Sequence, residues 1–315
     1  MRKFVINIIL FIVPILFLFI LNEYYCRTQT TFSIKRKYLE NNIKTIKVLI
    51  LGSSHSQNGL NPEFVEEKSS NLAFGGQAIS IDYFLLDKYI DQMNGLKTVI
   101  FEVSPFRFYN DHKIGQWNGH IYSNLYNINY KINSLSIKDY SLIISDPKFF
   151  NSIFIDYINP LTFKYKLNKY GFVTNDFNDR FEKLKYDSLE IIKSYIMQHD
   201  FTDKEIFKLN ELFLKKIIQK CKSKKVDIVL LSTPVYISYY SKIPVNAKIE
   251  VNNMLNEYKL LFGITILDFS NDKSFSLYDF KNDNHLNSKG AEKLTRKIDS
   301  ILVNKAHGGN KGYIQ

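Results

Sequence analysis

The chain has 315 residues, 42 Lys+Arg against 31 Asp+Glu, and a formal net charge of +11. That length allows one large domain or two ordinary ones. With 45% hydrophobic and 23% charged residues, wholesale disorder is excluded, and 13 Gly with 7 Pro exclude a collagen-like or low-complexity chain.

The first element is apolar. Arg2 and Lys3 precede residues 4–21, whose only polar member is Asn7. At 1.5 Å per residue the stretch reaches roughly 27 Å, about one hydrocarbon core. Tyr24 and Tyr25 fall where an interfacial aromatic belt would lie. No A-x-A-like cleavage site follows, so an uncleaved signal anchor over residues 1–22 is favoured over a signal peptide. Arg2 and Lys3 argue for an inside N-terminus, while Arg27, Lys35, Arg36 and Lys37 pull the other way, so charge alone leaves the orientation open. Cys26 follows Glu23, Tyr24 and Tyr25 rather than the small residues of a lipoprotein cysteine. With Cys221 it is too little for a disulfide framework or a C-x-x-C metal knuckle.

Residues 23–45 read as a polar, basic juxtamembrane connector. The run at 46–51 (IKVLIL) is a strand of the kind buried on both faces, ending at a Gly52-Ser53-Ser54-His55 turn. Residues 71–74 read as a short second strand ending at Gly75-Gly76. Ile79, Tyr83, Leu86, Ile90 and Met93 then recur at helical spacing, and 97–103 (KTVIFEV) is a third strand closed by Ser104-Pro105. Residues 106–200 hold Trp117 and many Tyr, Phe and Asn, and read as a largely helical insertion. Thr202-Asp203-Lys204-Glu205 begins a helix with Ile206, Leu209, Phe213 and Ile217 inward. Residues 226–231 and 264–269 are two more buried strands. The last helix spans about 287–303 with Leu294, Ile298, Ile301 and Leu302 on one face, and 306–315 is a tail. Strands alternating with helices predict an α/β domain over 46–305 with a parallel sheet, helices on both faces and the 106–200 insertion. Ligands gather beyond the carboxyl ends of such strands. That edge collects Ser54, Gly76, Ser104, Thr233 and the loop 279–285.

Ser54 directly follows a buried strand, so its backbone N–H lies near the start of the next element. It reads as a nucleophile if a base reaches it, and otherwise as a turn serine. The turn is not a phosphate loop, a dinucleotide fingerprint or a G-x-S-x-G elbow. His285, in Asn282-Asp283-Asn284-His285-Leu286-Asn287, returns to the same edge beside a carboxylate, and Asn287 caps the following helix. No second His or Cys stands at metal-ligand spacing to His55, so neither metal nor cofactor is expected. His112, His120 and His199 read as ordinary residues of the insertion. Arg107 and Trp117 either line a carbohydrate cleft or pack within the insertion. The scattered basic residues read as a solvated surface or a face for an anionic membrane or acidic polysaccharide, and the anchor argues against a nucleic-acid partner.

Gly52-Ser53-Ser54, Asn71 to Gly76, and Asp283 to Asn287 with Gly290 together resemble the SGNH/GDSL hydrolase superfamily, within it the membrane-anchored bacterial members tied to O-acylation of surface polysaccharides. The likeness spans about 46–305 through three short blocks. It implies a three-layer, flavodoxin-like sheet. Ser54 would be the nucleophile, His285 the base, and the N–H groups of Ser54 and Gly76 the oxyanion donors. Asp283 or Asn282 would orient the imidazole. Beside these, His55, Gln77, Ser104 and Arg107 are candidate substrate contacts at the same edge, with a structural role the alternative for His55. Where the family carries Asp three residues before the His, this chain has Asn282. Where it carries Gly-x-Asn-Asp, this chain reads Glu102-Val103-Ser104-Pro105. The resemblance implies an esterase or O-acyltransferase with its globular part outside the cytoplasm. An acylated or acceptor carbohydrate, membrane lipid and a membrane-bound acyltransferase are its implied partners. A non-catalytic assembly factor is the alternative.

Overall fold

The computed structural model describes residues 1–109, 119–128, 136–159, 166–175 and 179–306. Trp117, His112 and the tail from His307 lie outside them. Helices α1 (Arg2–Gln29) and α2 (Thr31–Asn42) lead into β1 (Val48–Leu51), α3 (Ser54–Gly59), β2 (Ser69–Asn71), α4 (Ile79–Tyr89) and β3 (Thr98–Glu102). The insertion contributes α5 (Pro105–Tyr109), α6 (Gly119–Tyr126), α7 (Leu142–Ser145), α8 (Pro147–Ile158), α9 (Arg180–Lys183) and α10 (Ser188–Ser194). Then come α11 (Lys204–Ser223), β4 (Asp227–Ser232), α12 (Ile237–Tyr240), α13 (Val245–Phe262), β5 (Thr265–Asp268), a small ribbon of β6 (Phe280–Asn282) and β7 (His285–Leu286), and α14 (Ser288–Ala306).

The main sheet is parallel, in the order β2-β1-β3-β4-β5. This is the doubly wound order whose switch point falls between β1 and β3. Period-2 alternation divides the core. Leu49, Leu51, Val99, Phe101, Ile228 and Leu230 face one layer with α4, α11 and α13. Val48, Ile50, Ile100, Val229 and Leu231 face the other, with Leu60, Leu286, Leu294 and Ile298. The expected α/β architecture with a parallel sheet, and the long apolar N-terminal helix, are present.

Three readings are corrected. The connector is helical and folded in. Thr30, extended at φ −77° and ψ 157°, separates α1 from α2 and caps α2 at Ser33 N–H. Cys26, Phe32 and Leu39 are buried in the first core layer. The second strand is Ser69–Asn71 rather than 71–74, although Leu72 N–H and Phe74 N–H still reach Ile50 O and Gly52 O, and the Asn71 side chain ties the segment to Ser56 O, Leu60 O and Ala73 N–H. On α11 the buried stripe runs through Phe207, Asn210, Phe213, Leu214, Ile217, Ile218 and Cys221, leaving Leu209 exposed. Asp203 caps that helix at Glu205 and Ile206 N–H.

The shift of the α11 stripe is measurable. Leu214→Ala is expected to cost about 2–5 kcal/mol in chemical unfolding. Leu209→Ala is expected to stay within about 0.5 kcal/mol. Equal losses would reject the observed face.

Candidate active site

β1 ends one residue before a turn that only glycine can make. A Cβ on Gly52, at φ +154°, would stand 2.7 Å from Glu102 Cβ and Oε2. The chain therefore passes against Glu102, the last residue of β3. Glu102 is fully buried, and its carboxylate accepts from Ser53 N–H (2.7 Å), Ser53 Oγ–H (2.6 Å) and Ser56 N–H (2.9 Å). Burial drives this carboxyl up. Arg107, His55, the Ser53 hydroxyl and the Ser56 amide outweigh it and hold the carboxyl below the usual range. Negative charge at the orphan amides of a helix start is favourable. Ser54, first residue of α3, is thus presented outward on a turn fixed from beneath.

A second buried group backs the first. Arg107 donates to Asp82 Oδ2 (2.5 Å), Glu102 O (2.9 Å) and Gln77 O (3.2 Å). Asp82 Oδ1 accepts from Gly52 N–H (3.1 Å) and Gln77 Nε2–H (2.5 Å), while Gln77 Oε1 accepts from the Tyr122 hydroxyl. Gln77 and Arg107 therefore hold the site from behind. Both are buried with their polar groups engaged, so Arg107 takes the packed alternative of the two read from the sequence.

His285, on β7, comes back to the same edge. Its Nε2 lies 2.7 Å from Ser54 Oγ, across 231 positions of sequence. Its Nδ1 lies 3.0 Å from Asn282 Oδ1. That oxygen also accepts from His285 N–H (2.9 Å) and Asn284 N–H (3.2 Å). Two backbone N–H groups can only donate, so they settle which end of the Asn282 amide faces the ring. Oδ1 must then receive the Nδ1 proton, leaving the Nε2 lone pair for the Ser54 hydroxyl. Burial lowers the His285 pKa well below its ordinary value, with His55, Lys281 and His199 adding to the fall. The imidazole is neutral at neutral pH, the state a proton acceptor requires.

Asp283 does not orient the imidazole, correcting that half of the expectation. Its carboxylate accepts from Arg180 (2.6 Å) and the Ser238 hydroxyl (2.5 Å), tying the loop to α9 and α12. The glycine turn approaches Ser54 through Gly75, where a Cβ would lie 3.8 Å from Ser54 Cβ. Gly75 N–H is held by Gln57 Oε1 at 2.7 Å, and Gly76 follows at φ +70°. The N–H groups of Ser54 and Gly76 meet no acceptor among the described residues. Lys35 of α2, buried, donates to Ala73 O at 2.6 Å, and burial lowers its pKa to about 7. Phe32 stacks on Phe74 with centroids 3.7 Å apart. Helix α2 thereby braces the loop that carries Gly76.

His55 is buried, its Nδ1 3.9 Å from Glu102 Oε1, and its ring meets His285 edge-on at 5.3 Å. Burial lowers its pKa against the pull of Glu102, and Arg107 lowers it further. With Ser104, Thr233 and Tyr239 it lines a cavity of about 50 Å³ at the ends of β3 and β4. His120 pairs with Asp139 in the insertion, and His199 packs on Phe106. Among the described residues no group of three or more His, Cys, Asp or Glu gathers as metal ligands would. Sequence reasoning missed Glu102 and Asp82, although an acid closing an otherwise apolar strand was a readable signal.

No family model and no curated protein matches the chain. Among solved structures, a candidate acylhydrolase from Bacteroides fragilis is 10% identical, covering 86% of this chain and 96% of its own, at a TM-score of 0.42. A GDSL-like lipase from Bacteroides thetaiotaomicron is 8% identical, covering 86% and 98%, at 0.42. A candidate lipolytic protein of the G-D-S-L family from Desulfitobacterium hafniense is 13% identical, covering 81% and 99%, at 0.39. At that distance the chemistry has to be read from this chain's own side chains.

An NMR titration resolving His285 is expected to find its midpoint below the ordinary imidazole value of about 6.5. Asn282→Asp places a charge at Nδ1, favours imidazolium and moves that midpoint up. Asp283→Ala leaves the midpoint in place and destabilises the fold by about 1–3 kcal/mol, since Arg180 and Ser238 lose their acceptor. A midpoint that follows residue 283 rather than 282 would reverse the assignment.

Proposed function

We propose that this chain is a membrane-anchored serine esterase or O-acyltransferase of the SGNH kind, working through an acyl-enzyme. The observation that carries the reading is the 2.7 Å contact between Ser54 Oγ and a His285 whose other nitrogen is held by Asn282. His285 takes the Ser54 proton as Oγ attacks an ester carbonyl. The N–H groups of Ser54 and Gly76 receive the oxyanion. The imidazolium returns its proton to the departing alcohol, leaving Ser54 acylated. Water, or a sugar hydroxyl in the transferase case, then gives up a proton to His285 and takes the acyl group, and His285 passes that proton to Ser54 Oγ as the serine ester bond breaks.

Asn282 supplies the correct tautomer without a full negative charge, so the imidazolium is less stabilised than in a triad with carboxylate. The expected signature is a slow enzyme whose rate holds into mildly acidic solution. The neutral imidazole is the active form, and a lowered pKa moves the acid limb of kcat/KM below its ordinary place. The substrate class follows from the resemblance of the Ser54, Gly76 and His285 blocks: acyl esters on envelope or surface polysaccharide, with the domain extracytoplasmic.

The anchor reading is supported by packing. Asn22, Tyr25 and Cys26, just beyond the apolar run, are buried against the globular domain. Cleavage there would strip side chains from its core.

Fluorophosphonate labelling and p-nitrophenyl acetate hydrolysis test the proposal on the full chain in detergent. Wild type is expected to label and turn over. Ser54→Ala is expected to abolish labelling, and His285→Ala to lower turnover by about 10²–10⁴-fold. Turnover indifferent to Ser54 would overturn the enzyme reading and leave a binding or assembly role.

A further inference from the structure

We propose that α8 and the turn before α7 form a second membrane contact, lying in the lipid headgroup layer beside the anchor. The inference rests on the anchor reading above and adds to it a surface of the globular domain.

Height along α1 is the first argument. The apolar run ends at Leu21, and the next residues grip α8. Asn22 donates to Asn151 Oδ1 at 2.7 Å. Tyr25 stacks on Tyr157 with centroids 4.1 Å apart and meets Phe154 at 5.9 Å. Cys26 Sγ points at Phe150 O. Residues 22–26 stand about 1.5–7.5 Å beyond the end of the apolar run at 1.5 Å per residue. The headgroup region on each side of a bilayer is about 5–7 Å deep. An upright α1 therefore holds α8 inside that layer, and tilt brings it closer to the hydrocarbon.

Exposure is the second argument. Ile155 and Ile158 share one face of α8, three residues apart, and are 55% and 61% exposed. Tyr157 is 54% exposed even with Tyr25 stacked on it. Tyr24, Ile137 and Tyr140 are exposed to 66%, 69% and 65%, and Arg27 joins the group by donating to Tyr140 O at 2.8 Å. These side chains surround the foot of the membrane helix, where tyrosine and branched aliphatic groups are stabilised by lipid. Lys138 and Lys148, also exposed, lie on the same elements and complement anionic headgroups. A bilayer covers all of these groups together, and the anchor already fixes it in place. The consequence is orientation. Held at two points, the domain presents the Ser54–His285 edge at a set height and angle rather than swinging on a tether.

The test uses the full chain reconstituted in phosphatidylcholine–phosphatidylglycerol vesicles whose acyl chains carry bromine near the headgroup. Trp117, the only tryptophan, is replaced by Phe, and single tryptophans are placed by Ile158→Trp, Ile155→Trp, Phe17→Trp and Tyr278→Trp. Tyr278 is exposed beside the opposite core layer. Bromine is expected to quench Ile158→Trp or Ile155→Trp about twofold or more over Tyr278→Trp, as for a helix seated at the interface. If Phe17→Trp is quenched while both α8 variants match Tyr278→Trp, the anchor stands and the docking face is refuted. That result would hand the surface to a protein partner or a second copy. If Phe17→Trp is not quenched either, the anchor reading fails and this proposal falls with it.

Discussion

A carboxylate without access to water sets the geometry of this site. Glu102 is buried at the end of the central strand β3 and is satisfied only because the chain after β1 turns its amides and a hydroxyl toward it. An unpaired ionised carboxyl there would cost several kcal/mol, so the turn is held as firmly as the core. Gly52 is dictated by the same contact, since a side chain would collide with Glu102. Arg107 and Asp82 extend the arrangement sideways, and through Gly52 N–H they grip the turn from its other end. Ser54 is free to face outward because each neighbour is engaged inward.

The imidazole is governed by a different balance. A carboxylate would raise its basicity, but the residue against Nδ1 is an amide, and the neighbouring carboxylate of Asp283 is committed to Arg180 and Ser238. Position is thus supplied by Asn282, and the charge of Asp283 goes to holding the loop against α9 and α12. Burial then decides the protonation state, keeping the ring neutral beside His55. Such a pairing favours a correctly aimed proton acceptor over a strong one.

The two N-terminal helices belong to this system. α2 reaches the glycine turn through Lys35 on Ala73 O and Phe32 on Phe74, while the end of α1 is clasped by α8. Lys35 lies buried with a carbonyl for its acceptor, and that burial lowers its pKa to about 7. Burying such a group is tolerable only where the carbonyl is fixed, so α2 and the turn constrain each other.

The apolar strands were legible because a strand buried on both faces must be apolar throughout, and alternation with helices then requires a parallel sheet. The placement of Ser54 at the carboxyl edge was legible because it closely follows such a strand. His285 lies well beyond β5, and its pairing with Ser54 came from the resemblance of the short blocks around them rather than from strand position. The connector was misread because polarity measures average exposure, and α2 buries only Phe32, Ser33, Lys35 and Leu39 while keeping a solvated face. The α11 stripe was misread by one step because helical spacing alone cannot rank neighbouring apolar positions. Packing against α4 and α5 chose Phe207 and Leu214 over Leu209. By itself, then, the sequence determined the sheet, the long apolar N-terminal helix and the edge at which Ser54 lies, since burial and chain direction are local consequences of composition. Only the tertiary structure decided that Asn282 and not Asp283 meets the imidazole, and that Glu102 underlies the serine. Hydrogen-bond partners are chosen by distances across the fold, which adjacency along the chain does not encode.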